Sequence, residues 1–135
     1  MSNPHGLGSA RALLTRPRDQ HGQPALAIEL ILEVKASLAI PQSLWMDLQF
    51  ANGLGSESWK EERRDTCERG RGVILRFTPA RQPTVAAMLF QAGRDPSAIT
   101  EILLRATGFE LHLVRWENAL WLCERPALAI ADKNA

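Results

Sequence analysis

A carboxylate and an imidazole two residues apart are the smallest arrangement in this chain that could move a proton. Glu110 and His112 stand in FELHLVRW, where Phe109, Leu111 and Leu113 are apolar. Period-two geometry therefore sends Glu110, His112, Val114 and Trp116 to one face. Imidazole exchanges protons near neutral pH, and an adjacent carboxylate completes the minimum of a general base. A small enzyme or ligand-binding protein could use the pair in a pocket beside Arg76 or Arg115. No matching nucleophile accompanies it, however, and a surface pair on the outside of a sheet accounts for the same residues.

Cys67 is the one thiol with a suggestive setting, since Arg63, Arg64, Arg69 and Arg71 would stabilise its thiolate. Glu61, Glu62, Asp65 and Glu68 oppose that shift, so no catalytic residue is predicted. Neither Cys67 nor Cys123 lies in a CxxC, and no HxH, HxxxH or phosphate-cradling glycine motif occurs. The expectation is no metal and no cofactor.

Two further groups could bind rather than react. Trp45, on the parity opposite to Leu44, Met46 and Leu48, would face away from the core and present an indole to a partner or to a second copy. Trp59 and Trp116 join it as candidate contacts. From Arg63 to Arg81, six arginines meet only Asp65 and Glu68, a local excess of four positive charges that could hold an anion or nucleic acid. The overall net charge of +1 gives no general attraction to polyanions or anionic membranes.

These residues must be positioned by one domain, because 135 residues suffice for a single core without metal or disulfide staples. No apolar run reaches the roughly 20 residues that span a bilayer. No secretory signal is read at the N-terminus, so a cytoplasmic location and no membrane partner are the expectation. Residues 1–24, rich in Gly, Pro, Arg and His, read as a flexible arm. Residues 25–126 read as the domain, and residues 127–135 as a tail.

Within the domain, alternation from Leu26 to Ile40 and again from Leu44 to Phe50 predicts a long antiparallel hairpin. The segment Gly55 to Gly72 carries ten charges in the fifteen residues from Glu57 to Arg71, and predicts a solvated, partly helical connection pinned by Trp59. A third strand follows in GVILRFTP, and then a short helix in PTVAAMLFQAG. A second helix is predicted from Asp95 as N-cap and Pro96 to the stop at Gly108. FELHLVRW and ALWLCERP close the chain as a hairpin. The order β-β-β-α-α-β-β predicts an α+β fold, an antiparallel sheet of about five strands with two short helices on one face or end. A β-sandwich is the alternative.

ITEILLRATGFELHLVRWENALWL, Ile99 to Leu122, resembles the closing helix, Thr-Gly and hairpin of the small N-terminal signalling or secretin-type domains of outer-membrane receptors and secretins. That resemblance implies work through protein contacts. The functional expectation is a non-enzymatic protein-interaction or regulatory module that self-associates through a sheet face, with anion or nucleic-acid binding second.

Overall fold

A computed structural model describes residues 8–34, 39–66, 72–82, 84–89 and 96–123. Eight strands run through them: β1 Gly8–Thr15, β2 Ala27–Val34, β3 Trp45–Phe50, β4 Ser56–Thr66, β5 Gly72–Pro79, β6 Ile99–Ala106, β7 Phe109–Trp116 and β8 Ala119–Cys123. All neighbours are antiparallel, and the order β1-β2-β5-β4-β3-β6-β7-β8 closes into a barrel where Ser9 and Ala10 pair with Trp121 and Leu120. Among the described residues, helix is confined to α1, Val85–Leu89, and to 3-10 turns at Ala51–Gly53 and Pro96–Ala98.

The fold is therefore all-β, and the α+β reading with about five strands is overturned. Three strands account for the difference. β1 comes from residues assigned to the arm, and pairs with β2 from Gly8↔Val34 to Thr15↔Ala27. β4 occupies the charged segment that was expected to be partly helical. β6 replaces the second predicted helix: Ile102 and Leu104 point inward while Leu103 and Arg105 alternate outward, and β-branched Ile99, Thr100 and Ile102 favour the pleated conformation. Gly108, read as a helix stop, instead takes a positive φ of 73° in the β6–β7 turn. With β6 extended, the resemblance to a helix followed by a hairpin is lost. β2 and β3 also do not pair, because β5 and β4 lie between them. The closing hairpin does form, as β7 and β8 from His112↔Cys123 to Trp116↔Ala119.

An eight-stranded barrel has an interior just wide enough for side chains to fill. Ile28, Leu30, Leu32, Met46, Leu48, Trp59, Leu75, Phe77, Ile102, Leu104 and Leu113 are fully buried there, with the small Ala10 and Ala12 on β1. Outward positions carry Glu29 paired with Arg76 and Asp47 paired with Arg105. This polarity is the reverse of a membrane-spanning barrel, whose outside is apolar. No described helix is long and apolar enough to cross a membrane.

The strand order forces two crossovers, one at each end of the barrel, and β4 anchors both. At one end the segment before β3 folds in with Leu44 fully buried. Its amide donates to Glu61 Oε1 at 2.9 Å, while Arg64 donates to the carbonyls of Ile40 and Pro41 at 2.9 and 2.7 Å. At the other end α1 covers the opening with Ala86 buried. Glu57 accepts hydrogen bonds from the amides of Val85 and Ala86, and Thr84 Oγ1 accepts one from Ala87 N. Strand alternation puts Glu57, Trp59 and Glu61 on the inward parity, so two carboxylates reach the barrel ends with an indole between them.

The β1 seam has a steric requirement of its own. Gly8 adopts φ +146°, and a Cβ there would lie 2.2 Å from the Glu33 carbonyl oxygen and 2.9 Å from Val34 Cα. Gly8→Ala is expected to destabilise the chain by roughly 1–3 kcal/mol in urea unfolding, through strain and lost pairing where β1 begins against β2. A change below a few tenths of a kcal/mol would show that the seam adjusts freely.

Candidate functional site

Because the described barrel directs its apolar side chains inward, the residues available to a partner are those on the outward parity. On β6, β7 and β8 the outward positions align in rows: Leu103, His112 and Cys123 in one, Glu101, Val114 and Trp121 in the next, and Trp116 beside Ala119. Leu103, Val114, Trp121 and Cys123 are half-buried, and Trp116 is 38% exposed. The Trp121 indole donates to the Trp116 carbonyl at 3.4 Å. The result is an apolar band with two indoles on the outside of the barrel, bordered by Glu101, Glu110 and Arg105.

Glu110 and His112 do share this outer face, but no catalytic pair results. His112 Nε2 lies 3.8 Å from Glu101 Oε2, on β6, so its nearest carboxylate is not Glu110. Glu110 is instead cross-strand from Arg105. Arg115 has the opposite parity, and its Nε donates to the Ile99 carbonyl at 2.6 Å. Arg76 stands on β5, separated from β8 by β1 and β2, where it holds Glu29. The Cys123 thiol, beside His112, has its pKa raised by burial and then by the charge of Glu101, which disfavours a thiolate nucleophile. Among the described residues no three His, Cys, Asp or Glu side chains group as a metal site requires.

Trp45 lies on the outward parity of β3, and its indole is covered by cations from both neighbouring strands. Lys60 Nζ on β4 sits 5.9 Å from the ring centroid, and the Arg105 guanidinium on β6 sits 5.5 Å from it. Asp47, next along the same face, accepts from Arg105 Nε at 2.7 Å, Arg105 Nη2 at 3.3 Å and Ser58 Oγ at 2.7 Å. Hydrogen bonding to Asp47 raises the Arg105 pKa, against desolvation, with the charges of Asp47 and Glu110 adding to it. A base or sugar could stack on Trp45 only by displacing one of these cations. Trp59 is wholly buried in the barrel and offers no exposed ring.

Three of the four described arginines of the cluster are paired with carboxylates. Arg63 pairs with Asp65 at 3.4 Å, Arg64 with Glu61 at 2.8 Å and Arg76 with Glu29 at 2.9 Å. Arg69, Arg71 and Cys67 lie outside the described residues. Arg81 remains, exposed at the rim of a cleft of about 560 Å³ between residues 79–82 and 84 and the outer faces of β3 and β4.

The outward parity of Trp116 was readable in the sequence, but the apolar band around it was not. Reading Ile99 to Ala106 as a helix hid the outward alignment of Leu103 with His112 and Cys123. The Asp47–Arg105–Trp45–Lys60 network joins three strands whose adjacency is not local in sequence. No protein-family model, curated protein sequence or solved structure matches the chain.

Proposed function

We propose that this chain is a non-enzymatic binding module that docks on a protein, in the first instance a second copy of itself, through the outer face of β6, β7 and β8. The observation that carries this reading is the apolar band of Leu103, Val114, Trp116, Trp121 and Cys123 on the outside of the barrel. The described strands close into a ring, which favours association through a face over addition to an edge. Tryptophan is enriched at the centres of interfaces, where it contributes large apolar area at low entropic cost. The border carries both signs, Glu101 and Glu110 with Arg105, and a two-fold axis through the band can set each against its opposite. On the outer faces of β2 and β5, by contrast, Glu29 is matched internally with Arg76.

Sedimentation velocity tests the proposal. The wild type is expected to show a concentration-dependent dimer, and Val114→Glu, which places a charge in the band at an outward position, is expected to be monomeric with unchanged circular dichroism. A wild type that stays monomeric at every concentration removes self-association. A Val114→Glu protein that still dimerises moves the interface to another face.

A further inference from the structure

We propose a second site: the cleft between residues 79–82 and 84 and the outer faces of β3 and β4 binds a small phosphorylated molecule. Its volume of about 560 Å³ falls within the range of small-ligand sites. Arg81 and Arg105 both line it, together with the hydroxyls of Ser56 and Thr84, while the Ser58 hydroxyl there already donates to Asp47 Oδ1. Guanidinium groups with neighbouring hydroxyl donors are the chemistry that recognises phosphate oxygens.

What the lining groups already bond to decides the sign of the site. Glu57 is the one carboxylate among the lining residues, and both its oxygens accept from the amides of Val85 and Ala86. Its charge is therefore matched by α1 and turned from the opening. Arg105 is fixed by Asp47 through Nε and Nη2, which orients its fork and leaves Nη1 without an acceptor among the described residues. Arg81 has no carboxylate partner among the described residues. Thr84 Oγ1 accepts from Ala87 N and keeps its own proton to donate.

Nucleic acid suits the site less well, because Asp47 and Asp65 interrupt any basic track across the neighbouring outer face.

The test is a titration of the isotopically labelled full chain with inorganic phosphate, and in parallel with methyl phosphate, at constant ionic strength, followed by amide and arginine side-chain NMR. Saturable shifts are expected at Ser58, Ala80, Arg81 and the Arg105 Nε–H. Arg81→Ala should weaken the apparent affinity roughly ten-fold or more, the loss of a charge-assisted hydrogen bond. Arg11→Ala, an exposed arginine on β1, should leave it unchanged. Linear, non-saturating shifts, or an equal loss in both variants, would show general charge screening and overturn the site. Arg105 also borders the β6–β8 band, so its Nε–H shift is read in Val114→Glu as well as in the wild type; Arg81 is outside that band, and Arg81→Ala separates the cleft from self-association.

Discussion

Glu61→Ala is expected to lower the unfolding free energy by about 3–5 kcal/mol, the usual result of removing one member of a buried ion pair. The Glu61 and Arg64 side chains are only 6% and 15% exposed. Arg64 donates to Glu61 through Nε and Nη2, each at 2.8 Å. Alanine would leave a guanidinium facing two carbonyls with no counter-charge, and would strand the buried Leu44 amide that Glu61 Oε1 accepts. Replacing the pair together, as Glu61→Leu with Arg64→Met, should cost less than Glu61→Ala alone, because no uncompensated charge remains. The damage should be local first. Hydrogen exchange at Leu44 and at Glu61, whose amide bonds back to the Leu44 carbonyl, is expected to speed up more than in β7 or β8. A Glu61→Ala cost below about 1 kcal/mol would instead class the pair with exposed salt bridges and refute its role in holding the crossover.

The same pair shows why part of the fold could not be read from the chain. In β2, β3, β5 and β7, apolar residues alternate because one face meets the core, and that pattern is visible in sequence. In β4 the inward positions are Glu57, Trp59 and Glu61, two carboxylates around one indole. They face inward because the barrel ends need acceptors for the Leu44 amide and for the first amides of α1, partners 17 and 28 residues away. A local pattern carries no trace of that need, and ten charges in fifteen residues resemble a solvated connection. β6 failed for a different reason: Leu103 is half-buried on the outside while Ile102 and Leu104 are buried inside. Consecutive apolar residues erase the period of two, and flanking Pro96 and Gly108 then imitate helix punctuation. For the candidate surface, Trp116 was legible from parity alone. Its neighbours were not, since the band depends on β6, β7 and β8 lying side by side.

Trp59 offers the second large effect, and its two substitutions should diverge. Trp59→Ala removes the largest fully buried side chain in the barrel, and about 3–5 kcal/mol is the expected loss from the transfer and cavity terms together. Phe77, Leu75 and Met46 come from β5 and β3, so a hole between them cannot close without shifting strands locked in a closed ring. Trp59→Phe keeps most of the apolar volume and deletes the indole N–H, which has no acceptor among the described residues. Removing an unsatisfied buried donor returns part of its desolvation cost, about 1–3 kcal/mol, and this offsets the smaller ring. Phenylalanine is therefore expected to fall within roughly 1 kcal/mol of the wild type, far closer than volume alone implies. Urea unfolding of both variants separates the two contributions. A Trp59→Phe protein as damaged as Trp59→Ala would mean that the N–H has an acceptor in the folded chain.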